Sequence, residues 1–187
     1  MVSKLDDSVG TIVAGLASKD MLKNSIIVFT TDNGGPAAGF NHNAASNWPL
    51  RGVIIILIPM AQIFQFFDSS CTIVSCRPTQ VKNTLWEGGV RGAGFIWSPL
   101  LKDTSRVSSQ LMHIQDWLPT LIGGIGANVS QVLSGKNLDG INMWDTLNEA
   151  EEPSPRKQLI HNIDDIYGNE AVRVGDWKLM HGEFGSY

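Results

Sequence analysis

The stretch Ser25-Ile26-Ile27-Val28-Phe29-Thr30-Thr31-Asp32-Asn33-Gly34-Gly35 decides the fold class of this chain. Residues 25–30 are largely apolar and β-branched, as expected of a strand buried on both faces of a parallel sheet. The run stops abruptly in polar and glycine residues, which predicts a loop at the carboxyl end of the strand. In α/β proteins, ligands bind at that end of the sheet.

An amphipathic helix is predicted just before this strand, over about residues 3–19. Apolar residues recur there at the spacing of one helix face, at Leu5, Val9, Ile12, Val13 and Leu16. A helix, a buried strand and a Gly-rich turn in this order form an α/β unit.

Later elements are shorter. Residues 93–97 are strand-like, and residues 111–122 predict a short helix that Gly123-Gly124 ends. Pro119 is tolerable in this helix if it lies in the first turn. Residues 158–161 predict a strand, and residues 171–180 predict a hairpin that turns at Gly175-Asp176. The order is α/β first, followed by a small antiparallel β element.

Composition excludes some function classes. The 187 residues carry 14 basic and 18 acidic side chains, net charge −4, without a run of Lys or Arg, so nucleic acid is not expected as a partner. Residues 53–67 are almost entirely apolar, but they are interrupted by Pro59 and fall short of the roughly 20 residues that span a bilayer. We therefore predict no transmembrane span.

Neither the first residues nor the two cysteines identify the cellular compartment of the protein. Residues 1–7 lack the apolar region of a signal peptide. A cytosolic protein could begin this way. The same start would result if the gene model of a secreted protein began at an internal methionine. Cys71 and Cys76 form neither a disulfide framework nor a zinc pattern.

Asp32 and Asn33 are candidate metal ligands. A carboxylate and an amide oxygen held together at a strand end suit a hard cation such as calcium. The alternative is a tight turn, because Asn-Gly is a favoured turn dipeptide. The pair supplies about three of the six to eight oxygens that calcium prefers, so other ligands must come from elsewhere.

Lys82 lies in a Gly-rich loop over residues 81–92 and could reach a sulfate or phosphate oxygen as a point charge. A solvated surface lysine is the alternative. Glu87 and Arg91 in the same loop are either ligand groups or a pair that fixes the loop.

Ordered motifs along the chain resemble those of sulfatases, and the motif at residues 47–52 is most similar to the arylsulfatase B (N-acetylgalactosamine-4-sulfatase) branch. In chain order the motifs are Val28–Gly35, Asn47–Gly52, Lys82–Gly92, His113–Thr120, Leu138–Gly140, Ser154–Arg156, His161–Asp164 and Gly175–Leu179. The resemblance covers essentially all of the chain except residues 53–80.

It implies an alkaline-phosphatase/sulfatase-like α/β fold, a mixed sheet with helices, plus a small C-terminal antiparallel β element. Residues 1–122 would be the C-terminal portion of the α/β domain, and residues 123–187 the start of the C-terminal subdomain.

The resemblance also implies roles for individual residues. Asp32 and Asn33 match the aspartate and asparagine that bind one active-site calcium ion, whose remaining ligands are missing from this chain. Lys82 matches a lysine that contacts the substrate sulfate. Trp48 is a candidate for lining the sugar pocket, with a packed aromatic as the equal alternative. Two histidines match positions that we interpret as structural: His113 and His161.

The family nucleophile is missing from these 187 residues. It is a cysteine in a Cys-x-Pro-Ser-Arg motif, oxidised to formylglycine, well upstream of the calcium-binding pair. Cys76-Arg77-Pro78-Thr79-Gln80 departs from that motif, because Gln80 replaces the arginine and the segment follows Asp32. The chain alone is therefore expected to be inactive.

The resemblance implies part of a lysosomal or secreted, calcium-dependent sulfuric ester hydrolase that acts on sulfated glycosaminoglycans or aryl sulfates. The alternative is a truncated, non-catalytic sulfatase-like protein that binds glycans or a partner. A related phosphatase or phosphodiesterase is disfavoured by the elements at residues 48–52 and 86–89. Asn128-Val129-Ser130 is a sequon that could carry glycan in a secretory protein.

Residues 53–80 interrupt the resemblance. Removing them joins Gly52 to Val81 and restores a family-like loop. The leading hypothesis is an intron translated in frame, because Val53 codons begin with GT and Gln80 can be encoded by CAG. A genuine inserted loop and a membrane-touching apolar insertion are the alternatives.

Overall fold

The computed structural model describes residues 1–35, 45, 47 and 84–182. The α-helices in these residues are α1 (Val2–Ser18), α2 (Glu87–Val90), α3 (Trp117–Gly124), α4 (Val129–Val132) and α5 (Trp144–Asn148). The strands are β1 (Ile27–Thr30), β2 (Gly94–Trp97), β3 (Gln158–Asp164), β4 (Asn169–Val174) and β5 (Trp177–His181). β1 pairs with β2, and β3, β4 and β5 form an antiparallel sheet in that order. None of the helices described is both long and apolar enough to cross a bilayer.

Two compact units share these elements. The first comprises Met1–Phe29 and Phe95–Lys157, and the second comprises Thr30–Gly94 and Gln158–Tyr187. Each unit is therefore built from two separate segments of the chain.

The helix predicted over residues 3–19 is confirmed as α1. Lys4 and Asp7 form an ion pair one turn apart at 2.9 Å on its exposed side. The helix ends near Asp20, whose φ of 55° lies in the left-handed region that stops helices. Leu5 and Ile12 of the predicted apolar face are exposed, whereas Val9, Val13 and Leu16 are half-buried.

The strand predicted over residues 25–30 is confirmed as β1, but its predicted burial on both faces is wrong. Residues 27–29 are half-buried and Thr30 is exposed. Within the described residues β1 has β2 as its neighbour, and Phe29 stacks on Phe95 with ring centroids 5.5 Å apart.

The core of the first unit lies where α3 meets the segment before α5. Met143 and Thr120 are fully buried there, and the Met143 amide donates to Thr120 Oγ1 at 2.9 Å. The helix predicted over residues 111–122 is present as α3, but it begins later, at Trp117, and it includes Gly123 and Gly124, which were predicted to end it. A Cβ on Gly124 would lie 2.6 Å from the Trp144 ring, so this glycine permits close packing.

The hairpin and strand predicted in the C-terminal part are confirmed as β3, β4 and β5. Val174 pairs with Trp177 across a turn in which Gly175 has a φ of 55°. One face of this sheet buries Leu159 and Ala171. The other face exposes apolar side chains, with Trp177 85% exposed.

Candidate functional site

The loop that leaves β1 is fixed by its pairing with the residues before β2. The Thr31 amide donates to the Ala93 carbonyl at 2.9 Å, and the Ala93 amide donates to Thr31 Oγ1 at 2.8 Å. These two bonds set the direction in which the chain enters the Asp32-Asn33 turn.

Asp32 and Asn33 form a small turn of their own. Asp32 Oδ1 accepts from the Asn33 amide at 2.9 Å, and Asn33 Nδ2 donates to the Gly34 carbonyl at 2.8 Å. Asp32 is exposed and Asn33 is half-buried. Within the described part of the chain, Asp32 Oδ2 and Asn33 Oδ1 accept no hydrogen bond.

This donor set fits calcium in kind, because both atoms are hard oxygens. It is incomplete in number for the six to eight oxygens of a calcium shell. Among residues 1–35, 45, 47 and 84–182, no group of three or more His, Cys, Asp or Glu side chains is placed to hold a metal ion. The turn alone would supply only part of a calcium shell.

Gly34 joins the turn to α2. Its amide donates to the Gly89 carbonyl at 2.9 Å, and a Cβ at this position would lie 1.7 Å from the Gly88 carbonyl oxygen. Only a glycine permits so close an approach of two backbones. The motif at residues 32–35 and the motif at residues 86–89 thus form one backbone unit.

Asn47 braces the next residue of the loop. Its Oδ1 accepts from the Gly35 amide at 2.8 Å, and its Nδ2 donates to the Gly35 carbonyl at 2.7 Å. One side-chain amide therefore satisfies both polar groups of the Gly35 backbone.

Glu87 is fixed by side chains of the C-terminal sheet and not by Arg91. Its Oε1 accepts from Lys178 Nζ at 2.9 Å, and its Oε2 lies 3.4 Å from Arg173 Nη1. Burial raises the pKa of the Glu87 carboxyl, but the Lys178 hydrogen bond and the charges of Lys178, Arg173 and His161 together hold that pKa below its ordinary value. Arg91 is exposed. Glu87 therefore forms a structural ion pair, but with Lys178 and Arg173 instead of the predicted Arg91.

The remaining candidates stand as follows. The described residues do not include Lys82, Trp48 or residues 53–80. Asn128 is exposed, and its Oδ1 accepts from the Gln131 amide at 3.0 Å, which caps the N-terminus of α4. His113 belongs to a structural cluster, since its amide donates to the Asp116 carboxylate at 2.8 Å.

That cluster was missed by the sequence analysis. Arg156 Nε donates to Asp116 Oδ2 at 2.6 Å, and Arg156 Nη2 donates to the Asp139 carbonyl at 2.9 Å. Three motifs of the resemblance, at residues 113–120, 138–140 and 154–156, therefore meet in the first unit. Burial raises the pKa of Asp116, but the bonds from Arg156, Ile141 and His113 hold it below its ordinary value. In the sequence, the only signal for this cluster was that its residues lie in motifs of the resemblance.

Comparison with known proteins gives consistent matches. The family model described as "Sulfatase" matches residues 1–127. Arylsulfatase J of Mus musculus is 34% identical, over 99% of this chain and 28% of that protein. N-acetylgalactosamine-6-sulfatase of Homo sapiens is 27% identical, over 78% of this chain and 22% of that protein. This chain spans less than a third of the length of either relative.

A solved structure gives the same result for the fold. The PsFucS1 sulfatase from Pseudoalteromonas sp. superimposes with a TM-score of 0.65 and 26% identity, over 94% of this chain and 28% of that one. The predicted α/β fold of the alkaline-phosphatase/sulfatase type is thereby confirmed.

Proposed function

Because the chain belongs to the sulfatase family, we propose that it carries the calcium-binding and sulfate-binding part of a sulfuric ester hydrolase active site. The enzyme we propose is of the arylsulfatase B type. It removes sulfate from N-acetylgalactosamine-4-sulfate units of glycosaminoglycans or from aryl sulfates. The similarity to an N-acetylgalactosamine-6-sulfatase supports a sulfated amino sugar as the substrate class.

One observation carries this proposal. The Asp32-Asn33 turn is joined through Gly34 to the α2 segment that follows Lys82 in sequence. Two motifs that the resemblance links to calcium and to sulfate therefore meet through direct backbone contact. An ordinary surface turn does not require this contact.

Each residue has a proposed role. Asp32 and Asn33 hold one calcium ion through their side-chain oxygens, and Lys82 donates to a sulfate oxygen. Trp48 lines the sugar pocket. A bound calcium ion would neutralise negative charge on the sulfate oxygens. Lys82 would stabilise the same oxygens most strongly in the transition state, as an oxyanion donor does.

The experiment uses two proteins. The 187-residue chain alone is expected to show no turnover of an aryl sulfate, because it holds no Cys-x-Pro-Ser-Arg nucleophile. A longer protein, with that motif restored upstream and residues 53–80 deleted, is expected to hydrolyse an aryl sulfate or N-acetylgalactosamine-4-sulfate when calcium is present. Replacing the restored cysteine by alanine provides the inactive control.

Two outcomes contradict the proposal. Turnover by the isolated chain would show that its own residues supply a nucleophile. A longer protein that undergoes formylglycine conversion, binds a sulfated sugar and never cleaves it would favour the non-catalytic alternative.

We place the complete enzyme in the lysosome or outside the cell, with Asn128 as a glycosylation site. Asn128 is exposed, so it would be accessible for glycosylation. We also retain residues 1–122 as part of the α/β domain and residues 123–187 as the start of the C-terminal subdomain.

A further inference from the structure

Helix α2 is too short to hold its own position. It contains four residues, and its backbone bonds run from Gly89 and Val90 to the Trp86 carbonyl and from Arg91 to the Glu87 carbonyl. An isolated single turn of helix is unstable in water, because nucleation fixes several residues for one hydrogen bond. Contacts outside the helix must therefore determine where it lies.

Glu87 supplies such contacts through its side chain. Lys178, whose side chain is only 14% exposed, donates to Oε1 at 2.9 Å, while Arg173 lies 3.4 Å from Oε2. Arg173 and Lys178 are partners in the β4–β5 register, so both cations project from one rigid ladder position. A partly buried, charge-assisted bond of this kind is stronger than an exposed ion pair.

The same short helix also contacts the loop that contains Asp32 and Asn33. The Gly89 carbonyl accepts from the Gly34 amide, and the Gly88 carbonyl occupies the space that a Cβ on Gly34 would fill. A shift of α2 would therefore move Gly34, and with it the adjacent Asn33.

We propose that Glu87 and Lys178 are positioning residues, which hold the Asp32-Asn33 turn in its metal-binding geometry through α2. This inference rests on the proposed function for the identity of the metal. It assigns Glu87 no direct contact with the ion, because Lys178 and Arg173 already engage its two carboxylate oxygens.

The test uses the 187-residue chain and two NMR measurements. The first is amide hydrogen exchange at Gly34. The second is a calcium titration followed by the amide shifts of Asn33 and Gly34. In Lys178→Met we expect Gly34 to exchange about tenfold faster, as loss of a charge-assisted hydrogen bond implies. We expect the calcium midpoint to rise about fivefold or more on the same grounds.

Matched variants separate positioning from a general loss of stability. Lys102→Met removes another lysine–carboxylate pair, that of Lys102 with the exposed Glu149, and should leave Gly34 unchanged. Lys178→Arg retains a donor and should restore most of the protection. Glu87→Gln removes the charge with little change in shape, so it provides the test if Lys178→Met does not fold.

Unchanged exchange at Gly34 and an unchanged midpoint, in a variant whose Met143 amide stays protected, would overturn the positioning role. Failure of the proposed function would be seen separately, in Asp32→Ala. If that variant binds calcium as the parent chain does, the turn is not the metal site.

Discussion

Arg156 binds Asp116 through two hydrogen bonds, Nε to Oδ2 at 2.6 Å and Nη2 to Oδ1 at 2.5 Å. The aspartate side chain is 0% exposed and the arginine side chain 8% exposed. The carboxylate also accepts from the amides of His113 and Ile141, both at 2.8 Å. Four donor groups therefore satisfy the buried carboxylate and compensate for its loss of water. Because Arg156 also donates to the Asp139 carbonyl, the pair brings together three motifs that are distant in sequence.

Removing one partner of this pair should be costly. In Arg156→Leu the Asp116 charge stays buried without its cation, and we expect a loss of about 3–5 kcal/mol in the free energy of unfolding. Urea denaturation followed by tryptophan fluorescence measures it. Lys102→Met, which breaks an exposed pair, should cost less than about 1 kcal/mol. Similar losses in the two variants would contradict a special role for Arg156.

The same pair predicts a pH dependence. Because the folded protein lowers the pKa of Asp116, the ionised carboxylate contributes stability that is fully present above the unfolded pKa of about 3.9. That contribution is lost as the pH falls through the lower, folded value. The free energy of unfolding should therefore decline below about pH 5 and continue to decline past pH 4.

The double variant Asp116→Asn/Arg156→Met isolates this contribution. Its stability should fall less steeply with decreasing pH, and the decline that remains includes Glu87, whose pKa is also lowered. Parallel curves for the variant and the parent chain would show that Asp116 titrates alike in the folded and unfolded states.

Gly34→Ala should distort the Asp32-Asn33 turn. The new methyl group would lie 1.7 Å from the Gly88 carbonyl oxygen, so one of the two backbones must move. We expect a loss of about 2 kcal/mol or more, as for other overpacked sites, and displaced amide resonances for Asn33 and Gly89. Gly10→Ala is the matched control, because it adds a methyl group to α1 in open space and should be neutral or stabilising. Unchanged resonances in Gly34→Ala would show that Gly34 and the Gly88 carbonyl lie farther apart than in the structure.

In the longer enzyme described above, Asp32→Ala should abolish calcium-dependent hydrolysis. Lys82→Ala should lower kcat by about 10²-fold or more, as removal of an oxyanion donor does. Steady-state kinetics on an aryl sulfate measure both effects. Near-normal rates in both variants would place the active site on other loops.

Local patterns in the sequence were sufficient for the regular elements. The apolar spacing that begins at Leu5 predicted α1, and Gly175-Asp176 between two β-rich runs predicted the β4–β5 hairpin. Both depend on residues close in sequence, whose periodicity or turn chemistry is visible directly. The turn at Asp32-Asn33 was predicted for the same reason.

Contacts between distant residues could not be predicted in this way. Asp116 and Arg156 are 40 residues apart, and nothing in either motif indicates its partner. Glu87 has a nearby cation in sequence, Arg91, yet pairs with Lys178 and Arg173. Gly124 resembled a helix stop and is instead a close contact with Trp144, because packing outweighed its weak helix propensity.

The separation between Glu87 and Lys178 has a consequence for the order of folding. The two residues are 91 positions apart, more than twice the separation of Asp116 and Arg156. Closing a longer loop costs more chain entropy before the contact is gained. During synthesis the Asp32-Asn33 turn leaves the ribosome long before Lys178 exists, so the Lys178 contact that holds α2 beside this turn can form only after the C-terminal sheet has been made.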